Sequence, residues 1–314
     1  MHPWNTPLFE ALKARLERFP HALLIHGVRG TGKLALAERV AQLLLCEDPA
    51  HRPCGRCDGC RWLAAGSHPD FRRIEPEALA KAPLIDPEEA AETSGKRGKP
   101  SIDIKIEQVR ELAGFLNLRS HRGRLRVALV HPAEAMTESA ANALLKGLEE
   151  PPAGAVFVLV SHRPSQLLPT IRSRCVALAV PIPGRAPALQ WLAEQGVKTP
   201  ERWLAYAGGA PLQALEFAER AAILERLLQQ PVPVAEREEL EVLADALQKI
   251  ALDRALTGLG LPAKYQTGEA RPDPSKVRAW LSFAREMGQH RLLCRHPLNP
   301  KLFSAEMLAG MPRT

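Results

Sequence analysis

Short apolar runs alternate with helical periodicities over roughly the first 180 residues, and beyond them only helical periodicity remains. Leu8, Leu12, Leu16 and Phe19 share one face at helical spacing and predict an amphipathic helix. Ala22-Leu23-Leu24-Ile25 follows as an unbroken apolar run, then a cluster of glycines, then a helical pattern from near Lys33 to about Leu45. Apolar runs of four or five residues bounded by turn signals read as strands buried on both faces, as in a parallel sheet. Further runs of this kind lie at 71–74, 126–130, 155–160 and 176–180. Helices are predicted over 102–118, with Ile106, Val109, Leu112, Ala113 and Leu116 on one face, and over 137–150, where Pro151-Pro152 stops the pattern. Glu149 and Glu150 fall in the last turn of the second of these, against the helix dipole, which predicts a partner for them in space.

Trp62 and Leu63 resume a helix that residues 66–70 break. The stretch 75–100, rich in Pro, Glu, Ala and Lys, predicts a solvated excursion with a mobile basic tip, in preference to a DNA contact through its lysines. Past a linker at Pro181-Ile182-Pro183-Gly184, helices are predicted at about 189–196, 200–207, 211–229, 235–256, 274–290 and 300–309, with a Gly- and Pro-rich loop over 258–274. The fold class is therefore α/β followed by a separate all-α unit.

Composition adds limits. The 314 residues are 46% apolar and 25% charged, the balance of an ordinary globular chain and not of a disordered one. No apolar run reaches the ~18–20 residues of a membrane span. The first residues, Met1-His2-Pro3-Trp4-Asn5, lack the layout of a signal peptide, so a cytoplasmic protein is expected. A net charge of +7 fits contact with nucleic acid and equally a basic subunit docked on an acidic one. With two Tyr and eight Phe, a row of stacking aromatics for single strands is not evident.

Three stretches carry candidate chemistry. Gly27-Val28-Arg29-Gly30-Thr31-Gly32-Lys33-Leu34 lies between a strand and a helix, the context of a phosphate loop, where Gly27, Gly30 and Gly32 would let backbone wrap an anion and Lys33 would reach the outer phosphates. The position after the lysine needs a hydroxyl for magnesium, and Leu34 has none. The acids a nucleotide hydrolase places after its next buried strand are replaced by His131 and Pro132. Cys46, Cys54, Cys57 and Cys60 fall within fifteen residues, the last three with two residues between neighbours, and four thiolates complete a closed, structural zinc shell. His51 could replace one of them, and unligated thiols on a loop are the plainer alternative.

The succession of a degenerate phosphate loop, a four-cysteine module after its helix, Asn142-Ala-Leu-Leu-Lys-Gly-Leu-Glu-Glu-Pro-Pro152 and Ile171-Arg-Ser-Arg-Cys175 resembles the clamp-loader branch of the AAA+ ATPases. The resemblance implies an AAA+ P-loop parallel-sheet domain over 1–180 with an inserted zinc module at 46–60, a small helical lid domain over 181–228 and a C-terminal helical collar domain over 229–314. It implies a non-hydrolysing stator subunit of the bacterial DNA polymerase III clamp loader. Such a subunit is part of the polymerase holoenzyme without catalysis of its own. Its partners would be gamma/tau and delta subunits in a heteropentamer, with the sliding clamp and primed DNA met through the assembly and no membrane.

On this resemblance Arg174 supplies an arginine finger in trans to a neighbour's ATP site, where a guanidinium stabilises transition-state charge; a surface salt bridge is the plainer alternative. The lid arginine of active relatives falls on Leu212, and their phosphate-sensing position on Ser161 or His162. Leu34, His131, Pro132 and Leu212 together imply that ATP, if held by Gly27, Gly30, Gly32 and Lys33, is not hydrolysed here. Two other classes make different predictions. An active ATPase like gamma/tau would turn over ATP alone, and a free-standing zinc-containing DNA-binding protein would bind DNA tightly and salt-dependently without partners.

Overall fold

The apolar runs become strands β1 (Ala22–His26), β2 (Phe71–Ile74), β3 (Arg126–Val130), β4 (Ala155–Ser161) and β5 (Val176–Ala179). They form one sheet in the order β2-β3-β4-β1-β5, with every pair parallel. The structure is a computed structural model that describes residues 1–79, 100–118, 125–268, 273–294, 296 and 298–312. Most of the expected solvated excursion, residues 80–99, lies outside the described residues, as do 269–272 of the Gly- and Pro-rich loop.

Two cores follow from the pleat, because successive side chains of a strand point to opposite faces. Leu23, Ile25, Val127, Leu129, Val156, Val158 and Val160 face one way, onto α1 (Thr6–Lys13) and α2 (Lys33–Leu45). Leu24, Ala128, Val130, Phe157 and Leu159 face the other, onto α4 (Ile106–Asn117), α5 (Glu138–Glu149) and α6 (Pro169–Arg174). A short α3 (Asp58–Ala64) precedes β2. β1 is the switch point of the sheet. In open parallel sheets ligands enter at the carboxyl ends of the strands beside such a point, and those ends here carry Gly27, His131 and His162.

The chain divides into two compact units, Met1–Ile182 and Pro183–Thr314. The second is helical among its described residues: α7 (Arg185–Glu194), α8 (Pro200–Tyr206), α9 (Pro211–Glu219), α10 (Ala221–Gln229), α11 (Arg237–Gly258), α12 (Val277–Leu293) and α13 (Pro300–Ala309). One of its cores gathers around Trp203 and Tyr206, the other around Trp280 and Phe283, and Val242 packs against both. A buried carboxylate, Asp245, joins them, with Lys249 Nζ at 2.7 Å, Arg291 Nη1 at 2.9 Å and the Tyr206 hydroxyl at 3.4 Å. Lys249 also lies over the Tyr206 and Phe217 rings, 3.8 and 4.2 Å from their centroids. Asp253 ties down the loop after α11, accepting from the backbone N–H groups of Lys264, Tyr265 and Thr267.

Several boundaries differ from expectation for local reasons. The helix predicted over 102–118 starts at Ile106, because Ile104 spends its N–H on Ala135 and its carbonyl on Thr137. The segment predicted over 211–229 is two helices separated at Arg220, whose ψ of 19° leaves the helical region. The first helix of the second unit begins at Arg185 and not near 189, since Pro187 sits in its first turn, where no N–H is needed.

Candidate functional site

The glycine loop joins β1 to α2 and keeps its frame. Gly27, Gly30 and Gly32 have φ of 149°, 84° and 80°. A Cβ on Gly27 would strike the Val180 carbonyl, and one on Gly32 would strike the His2 ring. These two glycines therefore allow close approach as well as the turn itself. What fills the frame is the protein. Lys33 is buried and its Nζ donates to the Val28 carbonyl at 2.6 Å, which the Thr31 hydroxyl shares at 3.0 Å. Trp4 Nε1 and Asn5 Nδ2 donate to the Thr31 carbonyl at 2.9 and 3.0 Å, with the His2 ring stacked on Trp4. Burial pulls the Lys33 pKa down to about 8, with the Glu134 carboxylate acting the other way. Leu34, where a magnesium hydroxyl is needed, packs against the core beneath α2.

Beside the lysine, His131 and His162 meet edge to face at 5.3 Å. Glu134 stands in the turn after β3 and accepts from the His162 backbone N–H at 2.9 Å. Buried His131 Nδ1, His162 Nδ1 and Glu134 Oε2 have no hydrogen-bond partner among the described residues. Burial, then nearby cations (Arg73 foremost for one ring, Lys33 for the other), lowers the imidazole pKa values to about 4 for His131 and about 3 for His162. Both rings are neutral at pH 7. Ser161 is buried and its Oγ accepts from the Arg163 N–H at 3.2 Å. Around Lys33 thus stand the Glu134 carboxylate and two neutral rings, with Arg29 and Arg73 also acting on His131. Sequence reasoning passed over Glu134, although an acid four residues past a buried strand was a signal available to it. Leu212 begins α9 in the second unit.

The four cysteines come together at the junction of α2 and α3. Their sulfurs all lie within 4.8 Å of one another, and Cys46 and Cys57 are 3.9 Å apart. Four ligands at a Zn–S distance of 2.3 Å stand about 3.8 Å from each other in a tetrahedron. Backbone N–H groups of Glu47, Cys54, Cys57 and Cys60 point at the sulfurs, at 3.3–3.5 Å, as expected around thiolate ligands. Such bonds, from Arg56 and Cys57, bring the Cys54 pKa down to about 6, while burial holds Cys60 up at about 12. The donor set could hold a metal such as zinc. His51 stands apart, paired with Asp48 at 3.3 Å and largely exposed. Gly59 lets α3 approach α2, for a Cβ there would lie 2.6 Å from the Leu45 carbonyl oxygen.

Arg174 ends α6 with 35% of its side chain exposed. Its Nη2 pairs with Glu149 Oε1 at 2.7 Å, and its Nη1 donates to the Thr170 carbonyl at 3.0 Å. Glu149, the acid set against its own helix dipole, thus has its partner.

A family profile described as DNA polymerase III, delta subunit, matches residues 5–183. Subunit delta' of DNA polymerase III from Pseudomonas aeruginosa is 41% identical over 253 residues, which cover 75% of this chain and 70% of that protein. The same subunit from Escherichia coli K12 is 36% identical over 220 residues, covering 68% of this chain and 60% of that protein. Among solved structures, a DNA polymerase III gamma subunit-related protein from Thermotoga maritima superposes with a TM-score of 0.50 at 21% identity, over 96% of this chain and 97% of that one. That last likeness is one of fold.

Proposed function

This chain belongs to the delta prime family of DNA polymerase III subunits, and from that premise we propose that it is a non-hydrolysing member of a clamp loader, supplying Arg174 to a neighbour's nucleotide site. Its partners in this reading are gamma/tau and delta subunits in a heteropentamer, which meets the sliding clamp and primed DNA. The layout is an ATPase-like sheet domain over 1–180, a lid over 181–228 and a collar over 229–314. The cysteine module holds structural zinc, which staples the end of α2 to the start of α3.

The observation that carries the proposal is the state of the glycine loop. Lys33 is turned onto the loop's own Val28 carbonyl, and Leu34, half-buried, packs against the core. A leucine side chain has no atom that can ligate magnesium, and no carboxylate ends β3. Residues 2–5 lie on the loop from outside. Arg174, by contrast, is partly exposed at the end of its helix, where a guanidinium can serve another chain.

The test is steady-state ATP turnover, first of the chain alone and then of the assembled loader carrying Arg174→Ala. The chain alone should show no magnesium-dependent turnover. The assembly should lose activity by a factor approaching the ~10³ at the low end for arginine fingers. Turnover by the chain alone, or a mutant assembly at the wild-type rate, would reject the respective half of the reading. A second reading, an active ATPase, draws on Glu134, whose carboxylate acts on Lys33 from within the crevice. It requires turnover by the chain alone that Glu134→Gln abolishes.

A further inference from the structure

The Leu148-Glu149-Glu150-Pro151-Pro152 stretch has no role in the reading above, yet its first acid makes the closest contact of Arg174. Glu149 occupies the last turn of α5, where a carboxylate faces the negative end of the helix. Arg174 occupies the last turn of α6, where a cation is favoured. The contacts between them divide the guanidinium. Nη1 donates to the Thr170 carbonyl at 3.0 Å and reaches Ser173 Oγ at 3.4 Å, while Nη2 forms an ion pair with Glu149 Oε1 at 2.7 Å. Nε–H has no acceptor among the described residues, Nη2 has only the Glu149 ion pair, and the side chain is 35% exposed. An arginine offers five donors in a rigid fork, and a pair of them matches two oxygens of a phosphate. One set is spent inside the domain and the other is left for an outside anion.

We infer that Glu149 is a positioning residue: it anchors the Arg174 guanidinium to the domain by one part of the fork, so that Nε–H and the remaining Nη2–H are held ready for a nucleotide phosphate of the adjoining subunit. The inference rests on the proposed role of Arg174. An unanchored arginine spreads over many rotamers, and a phosphate must then order it at the moment of binding. Because the ion pair uses neither of the two remaining donors, it need not break when the phosphate arrives. Glu149 therefore acts as a bracket and not as a competitor.

Two measurements test this. In the assembled loader, Glu149→Ala should lower ATP turnover about 3–10-fold through kcat, with KM for ATP unchanged, and Glu149→Gln should fall between it and the wild type. In an Arg174→Ala background, Glu149→Ala should have no further effect. In the isolated full chain, nitrogen NMR of the arginine side chains should show slow rotation at the Arg174 Nη groups, lost in Glu149→Ala while the amide spectrum is kept. An equal loss from Glu149→Ala in both backgrounds would mark a structural role and overturn the inference, as would rapid Nη averaging in the wild type. Should Arg174→Ala be slow while Glu149→Ala runs at the wild-type rate, positioning falls and the finger stands. With Arg174→Ala at the wild-type rate, both fall.

Discussion

Replacing Asp245 by Asn probes the joint between the two helical cores. The carboxylate is only 10% exposed, pairs with Lys249 and Arg291 and accepts from the Tyr206 hydroxyl. Lys249 is 11% exposed, and burial lowers its pKa against the opposing pull of Asp245. An amide of the same shape leaves two cations facing each other with only the weaker pull of Asp253 on Lys249, and breaking a buried pair in this way costs about 3–5 kcal/mol. For a unit of this size each kcal/mol shifts the midpoint by a few degrees, so the second unit's transition should fall by about 10–20 °C. Lys249→Met should cost far less, about 0–2 kcal/mol. It removes a desolvated charge and a cation–ring contact while Asp245 keeps Arg291. The Asp245→Asn, Lys249→Met double variant should then be more stable than Asp245→Asn alone, since the stranded ammonium is gone. Differential scanning calorimetry and urea unfolding by tryptophan fluorescence would measure all three. A shift below about 3 °C for Asp245→Asn, or a double variant that is worse than the single, would refute the account of the network.

Two further outcomes follow from the first unit. His131 and His162 are held neutral in the fold but would take up protons near pH 6.5 when unfolded, so their contribution is complete above pH 6.5 and is lost as pH falls toward about 4 and about 3. Stability should drop by about 1–2 kcal/mol per pH unit in that window, their partial exposure trimming the ideal slope, and His162→Gln should flatten the profile of midpoint against pH. Protein purified without added metal should carry about one zinc ion per chain. Cys57→Ser should abolish it while circular dichroism shows the sheet retained, and a metal-free wild type would dismiss the site.

The strands were legible because a run such as Val127-Ala128-Leu129-Val130 is apolar on both faces, and only a sheet covered on both sides satisfies that. The cysteine module was legible for a similar reason, its spacing allowing one convergence point. Ile104 was not, since its departure from the helix is decided by pairing with Met136, far along the chain. Nor was the covering of the glycine loop by His2, Trp4 and Asn5, because nothing in their local pattern says what lies above them. Glu149 is an intermediate case. A carboxylate at the wrong end of a helix announced a partner, and only the fold could name it as Arg174.

The position of β1 in the sheet has a consequence for the order in which the domain can form. Ala22 pairs with Phe157 on one side and Leu23 with Val176 on the other, so β1 has no neighbour until about 130 more residues have been made. At synthesis speeds of about 5–20 residues per second, Ala22 to Ile25 stays without its hydrogen-bonding partners for roughly 7–30 s after it is built. The segment is apolar on both faces and is the kind that binds other unpaired strands. Folding of the first unit is thus gated by arrival of its last two strands. A chain interrupted between β3 and β4 would carry β1 with both of its hydrogen-bonding edges unpaired.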